Sequence, residues 1–275
     1  MSKLYVVATP IGNLQDISPR ALAVLADVNL IAAEDTRTAK VLLNQYGIST
    51  RLLSYNEHNH GRRLPDILSY LENGEDAAIV SDAGTPAISD PGVALVAAVR
   101  EAGHEVVAIP GPSAPIAALS IAGFPTTTFT FAGFLPRTEG KLRELLGSFG
   151  ESTLVAFESP ERLRKSLAVI ADALPQRRVA VCRELTKRYE EVFVGTAAEA
   201  LEYFAEPRGE IVLVIEGGPP TAAGTDSEAV LAEAVEMRSL GLTRQQATAL
   251  LMSRYGIGRR EAYDLWLQSE KDEEA

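Results

Sequence analysis

The segment Ile79-Val80-Ser81-Asp82-Ala83-Gly84-Thr85-Pro86-Ala87-Ile88-Ser89-Asp90-Pro91-Gly92 decides how this chain is read. An apolar run, Ala77 to Val80, stops at Ser81-Asp82, crosses a turn rich in glycine and proline, and enters an apolar-periodic stretch from Val93 to Val99. The order is strand, loop, helix. Asp90 is placed as the helix N-cap, and Pro91 suits the first helical position, where a missing N–H costs nothing. Such connections usually take about 2 to 6 residues, so a longer one carrying a carboxylate, a φ-permissive glycine and two stiffening prolines reads as a binding loop. In an open parallel sheet, ligands sit beyond the carboxyl ends of the strands, where this loop falls.

Working outward, the same pattern repeats. Leu4 to Ala8, Asn29 to Ala33, Arg51 to Ser54 and Glu105 to Ile109 read as strands. They end at Thr9-Pro10-Ile11-Gly12-Asn13, Glu34-Asp35-Thr36-Arg37, Tyr55-Asn56-Glu57-His58-Asn59 and Pro110-Gly111-Pro112-Ser113, and a helical segment follows each. The last helix opens at Ser113 and closes at Gly123. Five strands alternating with five helices predict a parallel sheet with helices on both faces and all five polar strand ends along one edge. A crevice there is the default active site.

After Phe124-Pro125 the pattern changes. Thr127 to Ala132, Thr153 to Phe157, Arg178 to Cys182, Glu191 to Val194 and Ile211 to Ile215 read as strands, with helices over 139–147, from Ser159-Pro160 to Leu174, and from a capping box at Thr196 and Glu199. Two successive strands imply an antiparallel pair, hence a mixed sheet. Gly217 to Gly224 reads as a linker. Capping boxes at Thr225–Glu228 and Thr243–Gln246 then open a three-helix tail resembling a helix-turn-helix. The expected class is α/β, with two α/β domains at 1–123 and 124–218, a ligand cleft between them, and a helical module at 225–271.

With 275 residues and 46% hydrophobic composition the chain can bury a full core. The single cysteine, Cys182, lies in an apolar run and reads as a small buried hydrophobe, so no intrachain disulfide forms and a reduced compartment is the simpler setting. The first apolar run is too short for a signal-peptide core and none approaches membrane-spanning length, which predicts a cytoplasmic protein without membrane contact. A net charge of -11 argues against coating nucleic acid, yet the charge is uneven. Residues 159–188 hold eight Lys/Arg against three acids, and Arg238 to Arg260 holds five arginines and no acid. Such blocks can meet phosphates on an acidic chain because recognition follows the local field. A solvated face is the plainer reading of either block alone.

Several motif readings fail. No G-x-G-x-x-G follows the first strand, no G-x-x-x-x-G-K-[ST] is present, and Gly111-Pro112-Ser113-Ala114-Pro115 lacks the closing glycine of a nucleophile elbow. His58, His60, His104 and Cys182 give no zinc-ligand spacing, so no metal is assigned. What remains is a crevice of small residues suited to a ligand held by main-chain groups.

The segments Ala8-Thr9-Pro10-Ile11-Gly12-Asn13-Leu14, Glu34-Asp35-Thr36-Arg37, Ser81 to Pro86 with Ser89-Asp90-Pro91-Gly92, Pro110-Gly111-Pro112-Ser113-Ala114 and Arg183-Glu184-Leu185-Thr186-Lys187 together resemble the ribosomal RNA methyltransferase branch of the tetrapyrrole methylase superfamily. The likeness runs from Leu4 to about Glu216. The first-strand loop departs from the G-x-G-P-G-D type of the porphyrin-modifying branch. The resemblance implies S-adenosyl-L-methionine bound between the α/β domains, methyl transfer to the ribose 2'-hydroxyl of a cytidine in the decoding region of 16S rRNA, and a homodimer. Pro10, Asp82, Ala83, Gly84, Ile88, Ser113, Ala114 and Phe157 are the expected cofactor contacts. The helix amino terminus at Ser113 would offer N–H donors to the cofactor carboxylate. Asp82 would accept from ribose hydroxyls or the amino group, Ala83-Gly84 would let the ligand approach the backbone, and Phe157 would meet the adenine.

Methyl transfer needs in-line positioning, and a hydroxyl nucleophile benefits from a base or a nearby cation. Glu184 and Lys187 are the candidates, Glu57 and His58 the alternatives across the cleft, and a structural salt bridge is the competing reading of the first pair. Arg183, Arg188, Arg244, Arg254, Arg259 and Arg260 are the expected RNA contacts. The acidic total predicts that the folded small subunit is preferred over naked 16S rRNA. Two other readings stay open: a methyltransferase for a small molecule or tetrapyrrole, and a non-catalytic ribosome assembly factor. The arginine-only stretch speaks against the first, and the density of polar strand ends against the second.

Overall fold

The computed structural model describes residues 2–218, 227–240, 242–255 and 259–272. The first sheet is built from β1 (Lys3–Val7), β2 (Leu30–Ala33), β3 (Leu52–Ser54), β4 (Ala77–Val80) and β5 (Glu105–Ile109). Its order is β3-β2-β4-β1-β5 and every pair is parallel. β2 and β4 are buried along their whole length, as strands covered on both faces must be. The helices α1 (Pro19–Asp27) and α2 (Thr36–Gln45) pack on the face carrying Val7, Ile31 and Val80. The opposite face, with Leu4, Leu30 and Ile79, is covered by α3 (His60–Glu72) and α4 (Val93–Glu101).

The start of α4 corrects one expectation. Its N-cap is Gly92, at φ 141°, and not Asp90. A Cβ at Gly92 would stand 3.1 Å from Ile79 Cδ1 and 3.3 Å from Ala87 Cβ, so only glycine suits this approach. Pro91 therefore precedes the helix, and Asp90 is released from capping.

A second correction concerns α5 (Ala114–Ala122). Expected as a cover for the first sheet, it packs Ala118, Leu119 and Ala122 against Val155, Ala180, Val212 and Val214 of the second. That sheet comprises β6 (Phe129–Phe134), β7 (Thr153–Glu158), β8 (Arg178–Arg183), β9 (Glu191–Thr196) and β10 (Ile211–Ile215), in the order β6-β7-β10-β8-β9. β6 and β7 are parallel and the other pairs antiparallel, the mixed sheet predicted from the sequence. Its other face is covered by α6 (Glu139–Ser148), α7 (Pro160–Ala173) and α8 (Ala197–Tyr203), the last opened by the predicted Thr196–Glu199 capping box. A register shift between Phe131 and Phe134 carries β6 past the predicted end at Ala132.

Both sheets belong to one compact unit, Met1–Glu216. The second unit, Gly217–Ala275, contains α9 (Ser227–Ser239), α10 (Arg244–Tyr255) and α11 (Arg259–Asp272) around Val230, Ala234, Leu251, Ala262 and Trp266. Gln246 Oε1 accepts from the Thr243 N–H at 3.0 Å, half of the predicted box, whereas Thr225 lies outside the described residues. Among the described residues no helix is long and apolar enough to cross a membrane.

In the first unit the carboxylate of the Glu158–Arg162 ion pair is buried. The Glu158 side chain is fully covered, 2.5 Å from Arg162, and accepts from the Ser159 N–H at 2.7 Å and the Ser166 hydroxyl at 2.5 Å. Removing one partner of a buried pair leaves an uncompensated charge, which costs about 3–5 kcal/mol. Arg162→Ala is expected at the low end of that range in urea unfolding, because two neutral donors remain. Adding Glu158→Gln, which removes the charge itself, should recover part of the loss. A loss under about 1 kcal/mol for Arg162→Ala would mean that solvent reaches the carboxylate.

Candidate active site

The loops after β1 and β4 are fastened together by their main chains. Thr9 N–H donates to Gly84 O at 2.8 Å, Gly84 N–H returns a bond to Thr9 O at 3.1 Å, and the Thr9 hydroxyl donates to Ser81 O at 3.2 Å. The β1 loop then runs into the turn that follows β8. A Cβ on Gly12 would lie 2.5 Å from Lys187 Cγ and 2.7 Å from Thr186 Oγ1, and the Asn13 N–H donates to Thr186 Oγ1 at 3.0 Å. This contact brings the Arg183–Lys187 motif to the edge of the first sheet.

Between these loops lies a cavity of about 420 Å³. The first sheet contributes Ile11, Glu34, Asp82, Ala83, Gly84, Thr85, Ile88, Ser89 and Asp90, and the amino terminus of α5 contributes Ser113, Ala114 and Pro115. From the second sheet come Phe134, Phe157, Glu158, Cys182, Leu185, Glu210 and Val212. Seven of the eight residues expected to hold a cofactor thus share one lining. Pro10 instead faces a separate hollow of about 230 Å³ with Leu14, Thr38 and Leu42, and Ile11 takes the wall position. Glu57 and His58 are exposed beyond the edge strand β3, outside the lining.

The first-sheet wall gathers carboxylates. Burial raises the pKa of Glu34 and of Asp82, and the charges of neighbouring acids add to both; main-chain N–H donors partly offset this, Asp82 N–H to Glu34 at 3.3 Å and Asp35 N–H to Asp82 at 3.1 Å. Asp90 is pushed furthest, to about 6, by burial first and then by Glu34, against a hydrogen bond from Ser81. Its loop holds Ala87 at φ 67° and Ser89 at φ 63°, left-handed conformations that non-glycine residues adopt at a cost of about 1–3 kcal/mol.

On the second-sheet side the acids are paired. Lys187 Nζ lies 3.0 Å from Glu184 Oε1 and 3.0 Å from Glu210 Oε2, and the Glu210 N–H donates to Glu184 at 2.9 Å. That N–H holds the Glu184 carboxyl below its ordinary pKa despite burial, and Lys187 adds to the effect. Burial of Lys187 works against its charge, but the bonds to Glu184 and Glu210 overcome this and leave its pKa raised. A lowered acid stabilises the fold above its unfolded pKa, and a raised amine does so below its own. The cluster is therefore intact through the neutral range, being lost only as pH falls through the Glu184 value or rises through that of Lys187. Lys187 is an ammonium and Glu184 an occupied acceptor, so neither is placed to take a proton.

Arg183 pairs with Glu191 at 2.7 Å. Arg188 is exposed, its guanidinium 5.7 Å from the centroid of the exposed Tyr189 ring. In the second unit Arg254 pairs with Glu233 and Arg244 lies over Tyr263 at 5.4 Å, while the side chains of Arg259 and Arg260 are outside the described residues. Residues 3–201 match the family described as Tetrapyrrole (Corrin/Porphyrin) Methylases. Ribosomal RNA small subunit methyltransferase I of Synechocystis is 46% identical over 99% of this chain and 100% of its own length. That of Thermotoga maritima is 48% identical over 79% of this chain and 99% of its own.

This chain belongs to the ribosomal RNA small subunit methyltransferase I family, within the tetrapyrrole methylases. Its fold agrees with the crystal structure of the methyltransferase CobJ, at a TM-score of 0.61 and 20% identity over 79% of this chain and 95% of that one. Members of a methylase family carry the question of whether S-adenosyl-L-methionine fits this lining. It does by charge: the desolvated carboxylates of Glu34 and Asp82 would face its sulfonium and ammonium, and the α5 amino terminus would meet its carboxylate. The Phe157 and Phe134 rings, 5.4 Å apart, give an apolar surface for a flat base.

Sequence reading missed Glu34, Asp90 and Phe134 as lining residues. Glu34 stood among the polar strand ends but was not among the expected cofactor contacts. Phe134 was hidden by the shift in β6. For the loop contact the expected outcome is direct: Gly12→Ala must displace either the β1 loop or the 185–187 turn. It should destabilise by more than about 1 kcal/mol in urea unfolding and weaken cofactor binding in calorimetry. Unchanged values for both would mean that the two loops are not coupled.

Proposed function

We propose that the chain transfers the methyl group of S-adenosyl-L-methionine to the 2'-hydroxyl of a cytidine ribose in the decoding region of 16S rRNA, within the small ribosomal subunit. The observation that carries this reading is the cavity, where an open helix amino terminus faces desolvated carboxylates in a chain alike over its full length to proteins named for this RNA. The cytidine and its place in the decoding region rest on the motif resemblance. Such a substrate would keep the protein in the cytoplasm.

Ser113 and Ala114 would hold the cofactor carboxylate at the start of α5, and Asp82 and Glu34 its polar and cationic groups. Ala83 and Gly84 would allow close approach to the backbone, Ile88 would cover the ligand, and Phe157 would meet the adenine. When bound, the cofactor supplies an electrophilic methyl carbon. Lys187, kept as an ammonium by Glu184 and Glu210, lends positive charge where the substrate oxygen becomes negative, and Glu184 fixes its position. The Arg188–Tyr189 pair offers a cation for a phosphate beside a face for an unstacked base. Arg183 supports this turn through Glu191, and the arginines at 244, 254, 259 and 260 add phosphate contacts. With a net charge of -11 the protein binds naked RNA weakly and needs the fixed shape of the folded subunit.

The test is transfer of a labelled methyl group to small subunits from cells lacking the protein, with free 16S rRNA and a porphyrin precursor in parallel. Label on the subunit, resistant to alkali at one nucleotide, is expected, and weaker label on free rRNA. Lys187→Ala should lower turnover by about 10²-fold with cofactor affinity almost unchanged. Label on the porphyrin alone would replace this function with a small-molecule one.

A homodimer is proposed from α5. Apart from Ser120 the helix is apolar: it buries Ala118, Leu119 and Ala122, yet leaves Ile116 52% and Ile121 47% exposed. Val192 and Val194 pair in register with Cys182 and Ala180, on the same face of the sheet, and are also exposed. A second copy would cover this patch. Ile116→Glu with Ile121→Glu should halve the mass measured by light scattering, and a wild-type monomer would end the idea.

A further inference from the structure

We propose that Asp90 is the general base of this active site, the carboxylate that takes the proton of the substrate hydroxyl. The inference rests on the methyl-transfer reading above and adds to it a residue that sequence reading had placed as a helix cap. Most of the acids that line or adjoin the cavity are already engaged. Glu158 is neutralised by Arg162 and holds two further donors. Glu210 and Glu184 share the Lys187 ammonium. Glu34 accepts the Asp82 N–H and Asp82 accepts the Asp35 N–H. Donors and cations of this kind occupy the lone pairs through which a carboxylate would take a proton.

Asp90 differs in its surroundings. The groups that face it are the carboxylates of Glu34 and Asp82, both on its own wall, and the Ser81 hydroxyl. No cation contributes to its environment, and its pKa of about 6 leaves it ionised yet basic near neutral pH. Position agrees with this. Gly92 and not Asp90 caps α4, Asp90 lines the cavity, and Ala87 and Ser89 in the same loop are left-handed. The loop is also braced from the second sheet, because Ser89 Oγ lies 3.2 Å from where a Cβ of Gly133 would stand. Asp90 is thus fixed at the wall rather than carried on a free loop.

The step balances. As the hydroxyl oxygen bonds to the methyl carbon, the carbon–sulfur bond breaks with its electron pair left on sulfur. The hydroxyl proton passes to the Asp90 carboxylate and from there to solvent.

The test compares wild type, Asp90→Asn and Asp90→Glu on small subunits across pH 5 to 9, with S-adenosyl-L-methionine affinity by calorimetry and Tm for each. For the wild type, kcat/KM should rise with pH and level off above about 6, since it follows the free enzyme's carboxylate. Asp90→Asn should lower kcat by about 10²–10⁴-fold near neutral pH and lose that plateau, with cofactor Kd within about twofold, and Asp90→Glu should keep part of the rate. Removing the charge should also raise Tm. An acid whose pKa is raised on folding destabilises the protein once ionised, so this gain is present above pH 6 and fades as pH falls toward 4. If Asp90→Asn keeps the wild-type rate and pH profile, or weakens cofactor binding about tenfold with kcat intact, Asp90 is not the base. Wild-type enzyme that labels no subunit would instead remove the methyl-transfer reading, and this inference with it.

Discussion

The loop after β1 has to satisfy two neighbours at once. Thr9 gives both of its main-chain groups to Gly84, and three residues later Gly12 lies flush on the 185–187 turn with no room for a side chain. The end of the first strand is therefore bonded to the loop of the adjacent strand and packed against the second sheet. The helix α5 makes a second tie, since it begins at the polar edge of the first sheet and buries its small residues on the second. A cavity bounded by loops tied in this way is formed before a ligand arrives. Preorganisation of that kind matters for a reaction in which positioning supplies much of the rate.

The two walls of the cavity treat acids in opposite ways. On the second-sheet side each lining carboxylate meets a cation: Glu158 has Arg162, and Glu210 has Lys187, which it shares with Glu184. On the first-sheet side Glu34, Asp82 and Asp90 are desolvated beside one another. Mutual repulsion of this sort lowers the stability of the empty protein and is found where a site is shaped for a ligand rather than for the fold. A ligand with two positive groups relieves it. Its entry would hold these acids ionised, so binding energy goes into the charge state that the reaction needs.

Much of this was legible in the sequence. Continuous apolar runs such as Ala77–Val80 and Ile211–Ile215 read as strands covered on both faces, and the polar strand ends of the first sheet located Asp82, Ala83, Gly84 and Ser113 in the lining, while Phe157 came with the family resemblance. The helix start at Thr196 was visible because a cap is a local interaction. The destination of α5 was not. Its sequence has no polar face, so the periodicity that normally points a helix toward its sheet is missing, and contact with the second sheet is a tertiary choice. Pairing hid the character of Lys187 in the same way, since Glu184 is local to it but Glu210 reaches it only through the β8–β10 pairing.

The misreading of Asp90 has the most direct physical cause. Asp-Pro-Gly can write a helix start, with aspartate as cap and proline at the first position, or a turn that ends where glycine begins the helix. Local preference favours the first. Here the second prevails because Ile79, in the core strand β4, packs where a side chain at position 92 would be, and that contact fixes a glycine at φ 141° as the cap. The main chain before it must then double back through Ala87 and Ser89 in left-handed conformations, which propensity alone would not assign to alanine or serine. Backbone strain at Ala87 and Ser89, a glycine cap, and a carboxylate that meets Ser81 and other acids but no cation thus lie within six residues of one another, on the loop that lines the cavity.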